Sequence, residues 1–187
     1  MRIISGKARG TNLYTLEGLE TRPTLDRVKE SFFNIINNEI YDSIVLDLFS
    51  GSGAIGLEFA SRGAKKVYLC DKSPRAIEII RKNIQKTHCE EKVELHNCDF
   101  KKMLEILKGK KMNLIYLDPP YNTDYIIESL QKITQFNLLC EDGIIIAETD
   151  DPNRVEDLKN IENLNLEIYD KRNYGRAYLF FLKIKKA

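Results

Sequence analysis

The chain has 187 residues, 43% hydrophobic and 30% charged, which suits one ordinary domain with a real core. No apolar run approaches the roughly 20 residues of a membrane helix. No apolar stretch follows the early Arg2 and Lys7, so a signal peptide is not expected and a cytoplasmic protein is. The net charge of +1 does not by itself mark a nucleic-acid binder. Basic residues nevertheless gather at Arg2, Lys7, Arg9, Arg22, Arg27 and Lys29, again over 101–111, and again from Lys171 to Lys186. The four cysteines, Cys70, Cys89, Cys98 and Cys140, form no C-x-x-C pair. His88-Cys89 and His96-x-Cys98 match no zinc spacing, so reduced structural thiols and no metal are expected.

Residues 2–16 read as a short strand pair turned at Gly6 or Gly10. Pro23 then opens a helical pattern with Leu25, Val28, Phe32, Ile35 and Ile36 on one face. Residues 1–40 form an N-terminal extension, and 41–187 the body of a single domain. From residue 44 a regular alternation begins. Residues 44–48 are a short apolar strand, followed by a glycine-rich loop and a helix through Leu57 and Phe59. Residues 67–70 are a second strand, and Ser73-Pro74 opens a helix, the serine capping it and the proline suited to its first turn. Residues 93–97, 114–117 and 144–147 supply three more strands with helical stretches between them, the pattern of a parallel sheet covered on both faces. The rhythm breaks at the end. Residues 166–171 and 178–184, joined through Asn173-Tyr174-Gly175 without a helix, predict a hairpin whose last strand runs antiparallel. The expected fold class is α/β: a doubly wound, mostly parallel seven-stranded sheet closed by that hairpin, the Rossmann-like architecture of class I methyltransferases.

The loop Asp47-Leu48-Phe49-Ser50-Gly51-Ser52-Gly53-Ala54-Ile55-Gly56 leaves the first strand of the alternation and enters a helix, where open α/β sheets bind ligands. Gly51, Gly53 and Gly56 also fit a dinucleotide fingerprint, and Asp71 lies 20 residues after Gly51, where a ribose-binding acid belongs. The loop and Asp71 therefore announce an adenosine-like ligand. Asp47 favours S-adenosylmethionine over NAD, because a carboxylate can accept from the cofactor's ammonium but repels a pyrophosphate. Asp99 can accept from the adenine amino group or cap a helix, and Phe100 can pack on the ring. Phe49, Ser52 and Lys72 complete the expected cofactor set.

Asp118-Pro119-Pro120-Tyr121 follows the strand 114–117 and carries the expected catalysis. Two prolines hold an extended backbone and remove two N–H donors. The Asp118 carboxylate and the Pro119 carbonyl can then grip both hydrogens of an NH2 group. An exocyclic amine of a base is a poor nucleophile because its lone pair is delocalised. Two acceptors can draw it toward tetrahedral geometry and meet the positive charge that develops during methyl transfer. Tyr121 offers a ring for the target base, and Asp118 also borders the cofactor.

With these residues in place, the chain resembles the bacterial 16S ribosomal RNA guanine-N2 methyltransferase family, the RsmD type. The resemblance spans nearly the whole length. It includes Arg2-Ile3-Ile4-Ser5-Gly6 with Lys7 and Arg9-Gly10, then Arg22-Pro23-Thr24 with Asp26-Arg27-Val28-Lys29-Glu30, the glycine loop and the tetrapeptide. The N-terminal stretch distinguishes this family, since many amino-methyltransferases share the other two motifs. The resemblance implies methylation of a guanine of small-subunit ribosomal RNA within a protein-bound particle. Arg2, Lys7, Arg9, Arg22 and Arg27 would then meet RNA phosphates beside the active site. Many relatives carry Phe in place of Tyr121, and either ring stacks. Two other readings remain open on sequence: an adenine-N6 methyltransferase acting on DNA or RNA, and an NAD-dependent oxidoreductase.

Overall fold

The computed structural model describes residues 1–16, 23–120, 123–151 and 164–186, and the side chains of these except 23–27. In chain order its elements are α1 (Pro23–Ile35), a single 3-10 turn (Asn37–Glu39), β1 (Ile44–Asp47), α2 (Ala54–Ser61), β2 (Lys66–Asp71), α3 (Pro74–Thr87), β3 (Val93–Asn97), α4 (Phe100–Ile106), β4 (Met112–Leu117), α5 (Tyr125–Gln135), β5 (Leu139–Thr149), β6 (Leu166–Tyr174) and β7 (Ala177–Ile184). The strands form one seven-stranded sheet in the order β3-β2-β1-β4-β5-β7-β6. The first five are parallel, and β7 runs antiparallel between β5 and β6. This is the sheet expected from the sequence. It differs from the 3-2-1-4-5-6 order of dinucleotide dehydrogenases, so the topology disfavours the oxidoreductase reading that the glycine spacing allowed.

Strand residues alternate between two cores, as a sheet covered on both faces requires, with an irregularity between Met112 and Leu114 of β4. Val45, Val67, Leu69, Leu114, Ile146, Leu179 and Phe181 join the core under α1, α2 and α3. Leu46, Tyr68, Cys70, Ile115, Leu117, Ile145, Ala147, Phe180 and Leu182 join the core under α4 and α5. The same alternation puts Asp47, Tyr116, Asp118 and Glu148 on the α1 face, at the carboxyl ends of three adjacent strands.

Four expectations need correcting. The N-terminal strand pair is reduced to one antiparallel bridge, Arg2 with Asn12. The N–H groups of Ile4 and Ser5 bond instead to the Glu58 carboxylate at 2.8 and 2.9 Å, and those of Lys7 and Ala8 to Ser61. On α1, Ile35 is exposed whereas Phe33 is buried, because Phe33 meets Phe59 of α2 edge-on at 4.7 Å. Leu25 lies among the side chains not described. The hairpin turn is Gly175-Arg176, since Tyr174 still pairs with Ala177, and Gly175 takes the left-handed φ of +70°. Finally, β5 spans 11 residues, well beyond the 144–147 run, because its early half pairs at Leu139 with Met112.

No described helix is long and apolar enough to cross a membrane. Among the described residues no cluster of three His, Cys, Asp or Glu could hold a metal ion. The cysteines are free. Cys70 and Cys98 lie with their sulfurs 3.9 Å apart, and burial pushes the Cys70 thiol up, which keeps it unreactive.

Candidate active site

Two adjoining cavities open at the carboxyl ends of β1, β2 and β4. One, of about 380 Å³, is lined by Phe49, Gly51, Asp71, Lys72, Asp99, Phe100, Asp118, Pro119, Pro120 and Tyr125, among others. The second, of about 280 Å³, is lined by Met1, Thr15, Leu16, Phe32, Asp47, Ser52, Tyr116, Asp118 and Glu148, among others. Phe49, Gly51 and Asp118 belong to both walls. Asp118 therefore stands where the two spaces meet.

The glycine loop is shaped by its own hydrogen bonds. Asp71 accepts from the Gly51 N–H at 2.9 Å and from the Ser73 N–H at 2.8 Å, tying the loop to the end of β2. Gly51 takes φ +56°, and a Cβ there would meet nothing within 4 Å, so the backbone lies bare toward the cavity. Gly53 lines neither cavity; at φ +78° it is the N-cap of α2. Gly56 serves packing, because a Cβ would fall 2.1 Å from Leu69 Cδ2.

Asp47 is 1% exposed. Its Oδ2 accepts from the Gly56 N–H at 3.0 Å, while Oδ1 is buried with no partner. Burial pushes its carboxyl up to about 7, and the neighbouring Asp71 charge adds to this. A buried acceptor without a donor is costly unless a ligand supplies one. The expected S-adenosylmethionine fits that requirement: Asp47 would hold the ammonium, Asp71 the ribose hydroxyls, and an aromatic group the adenine. That group is Phe49, Phe100 and Tyr125, with ring centroids 4.8 to 6.3 Å apart. Asp99, by contrast, is exposed and caps α4 by accepting from the Lys101 N–H at 2.9 Å. Its helix-capping role is thus the one seen, although it remains on the cavity rim. Lys72 is exposed beside it.

The Asp47 titration has a measurable consequence. Its folded carboxyl titrates above the ordinary 3.8, so the stability it contributes is present below about 4 and is lost as pH rises through about 7. Cofactor binding has the opposite sense, because a cation needs the carboxylate. From pH 7 to 5.5 the ionised fraction falls roughly fifteenfold, and affinity by isothermal titration should fall with it. Asp47→Asn should bind weakly with a shallower slope. An unchanged slope in that variant would assign the proton to Asp118 or Glu148, whose carboxyls burial also pushes upward.

Asp118 accepts no hydrogen bond from any described residue, and burial with the nearby Glu148 and Asp47 charges raises its carboxyl well above the usual range. Pro119 is buried and Pro120 exposed; the Pro120 carbonyl is taken by the Thr123 hydroxyl at 2.8 Å, leaving Pro119 as the backbone acceptor not so engaged. Tyr121 lies outside the described residues. Arg2, Lys7 and Arg9 are exposed on the N-terminal segment, whose Met1, Thr15 and Leu16 border the cavity. Arg22 is outside the described residues, as is the side chain of Arg27.

Five residues that sequence reasoning missed complete the arrangement. Tyr125 enters through the aromatic group, and Tyr116 and Glu148 through the second cavity. Glu58, fully buried on α2, gathers the N-terminal backbone together with Lys29 Nζ at 2.9 Å and Arg62 Nε at 2.8 Å. Asn83, fully buried on α3, bonds both backbone groups of Tyr14 and donates to the Ser52 carbonyl at 2.9 Å, joining the N-terminal segment to the cofactor loop. A lone acid in the apolar octapeptide of α2, and an amide on the buried stripe of α3, were the available signals.

The family described as Conserved hypothetical protein 95 matches residues 1–183. The chain belongs to this family. Its relatives include ribosomal RNA small subunit methyltransferase D of Haemophilus influenzae, 34% identical over 80% of this chain and 79% of that one. The Escherichia coli protein of the same name is 31% identical over 80% and 75%. The solved Escherichia coli structure named "Putative methyltransferase yhhF" superposes with a TM-score of 0.82 at 25% identity, covering 99% of this chain and 98% of that one. The family's relatives and the sheet order together agree with the resemblance drawn from the motifs.

Proposed function

We propose that the chain transfers a methyl group from S-adenosylmethionine to the exocyclic N2 amine of a guanine in small-subunit 16S ribosomal RNA. The observation that carries this reading is the place of Asp118: a carboxylate without a hydrogen-bond partner among the described residues, at the meeting of the cavity lined by Asp71 and the aromatic group and the cavity lined by Asp47 and Glu148. The bound cofactor supplies an electrophilic sulfonium methyl. Asp118 and the Pro119 carbonyl accept from the two N–H groups of the amine and hold its lone pair in line. The carboxylate meets the positive charge that grows on nitrogen as the N–C bond forms and the S–CH3 bond breaks, sulfur keeping that electron pair and leaving as the neutral thioether, and it is the acceptor for the proton the nitrogen then sheds. A carboxyl whose environment favours protonation is suited to that last step. The exposed Arg2, Lys7 and Arg9, on the segment whose Met1, Thr15 and Leu16 border the second cavity, would meet RNA phosphates, a role that fits a substrate read mainly by position within the small subunit or an assembly intermediate of it. The ribosomal relatives support the same substrate class.

Purified protein incubated with methyl-labelled cofactor and small subunits lacking their own methylation is expected to place label in N2-methylguanosine after nucleoside digestion. Label in N6-methyladenosine, or only in added DNA, would overturn the assignment.

A further inference from the structure

Glu148 is the residue of this site whose chemistry the reaction above leaves unused. Register places it. Asp47 pairs with Tyr116, Tyr116 with Ile146 and Leu117 with Ala147. One step further, Asp118 stands beside Glu148 on the same face of the sheet. Both line the second cavity. Tyr116, 4% exposed, is held by a stacked Phe32 ring at 5.6 Å and donates its hydroxyl to Glu148 Oε2. Among the described residues no hydrogen bond reaches Oε1. A buried phenol needs one acceptor, which a glutamine or a carbonyl would supply without a second negative charge beside Asp118. Keeping a carboxylate there is costly unless a ligand donates to its remaining oxygen. The cofactor ammonium would find its acceptor in the unpartnered Asp47 Oδ1.

We infer that Glu148 selects guanine, its Oε1 accepting from the base N1–H while Asp118 holds the adjacent N2 amine, with Tyr116 as the residue that aims the carboxylate. This rests on the guanine-N2 reading above. A guanine edge offers these two donors side by side. An adenine presents a lone pair at N1, which a carboxylate repels.

The test uses 2-aminopurine, which keeps the 2-amino group but carries a lone pair at N1. Once the methylated position is mapped with the wild-type protein, small subunits are reconstituted with guanine or 2-aminopurine at that position, and single-turnover rates and cofactor affinity are measured. The wild-type protein is expected to prefer guanine by about 100-fold, the size of a lost charge-assisted hydrogen bond. Glu148→Gln, which can donate to a bare N1, should slow guanine, narrow the ratio to within about tenfold, and leave cofactor affinity unchanged. Tyr116→Phe should narrow it too, and gives the readout if Glu148→Gln folds poorly. A ratio that stays fixed while both rates fall overturns the proposal. So does a loss of cofactor affinity that accounts for the loss of rate. Wild-type label in a nucleoside other than guanosine would instead overturn the underlying reading, and would be seen before any variant is compared.

Discussion

Asp118→Ala is expected to lower the single-turnover methylation rate by about 10²- to 10³-fold, the usual cost of removing one preorganised group that meets transition-state charge. Cofactor affinity should change far less, because Asp47, Asp71 and the aromatic group remain in place. The opposite division is expected for Asp71→Ala. That carboxylate accepts from the Gly51 and Ser73 N–H groups and so holds the cofactor loop as well as facing the ribose site. Its loss should weaken the cofactor by about tenfold or more, with the rate recovering at saturating cofactor. Calorimetric titration paired with rapid-quench methylation separates the two. If Asp118→Ala lost affinity and kept its rate, the roles of the two carboxylates would be exchanged.

The half-buried position of Asp118 between two other carboxylates sharpens this expectation. Desolvation and the Glu148 and Asp47 charges favour its protonated form in the free protein. A cationic cofactor in the adjoining cavity favours the ionised form, by the same electrostatics with the sign reversed. The binding of the cofactor would thus prepare the acceptor that the amine requires. Asp118→Asn tests this: an amide keeps an oxygen acceptor but cannot take a proton. It should retain part of the positioning and lose the pH dependence that Asp118 contributes.

How much of this was legible in the sequence depended on how local the determinant was. Strands such as 93–97 were read to the residue, because the alternation of Val93 and Leu95 with Glu94 and His96 is a local signal. That Gly51, Asp71 and Asp118-Pro119-Pro120 would gather at one cavity was legible because backbone turns and prolines act where they stand. Glu148 was not, since it is one polar residue at the end of a long strand, and only the register with β4 brings it beside Asp118. Tyr116 likewise looks like an ordinary apolar strand residue until its hydroxyl is placed. The N-terminal segment, expected as a strand pair, keeps cross-strand bonds such as Ile3 N–H to the Thr11 carbonyl and Leu13 N–H to the Met1 carbonyl, but it falls short of a regular pair because Ile4 and Ser5 give their N–H groups to one side chain 54 and 53 residues away. Asp99 was read in both of its possible roles, and the helix it caps was the nearer partner.

That long-range clamp carries the second large effect. Glu58→Ala is expected to cost about 3–5 kcal/mol of stability, a fall in Tm of roughly 6–20 °C for a chain of this size. The carboxylate is fully buried and meets Ile4 N–H, Ser5 N–H, Lys29 Nζ and Arg62 Nε. Removing it takes the Glu58 carboxylate from a 3% exposed ammonium and leaves two backbone donors short of an acceptor. The two contributions can be separated. Replacing the ion pair by the apolar pair Lys29→Met with Glu58→Leu should recover only part of the loss, because Ile4 and Ser5 still lack their acceptor. Full recovery would mean that the backbone bonds contribute little. A loss under about 1 kcal/mol for Glu58→Ala would mean that water reaches the clamp, as it does for an exposed ion pair. Because Met1, Thr15 and Leu16 of the clamped segment border the cavity, hydrogen exchange at Ile4 and Ser5 in the variant should rise together with a drop in RNA methylation. A stability loss without that drop would place the segment outside the RNA-binding surface.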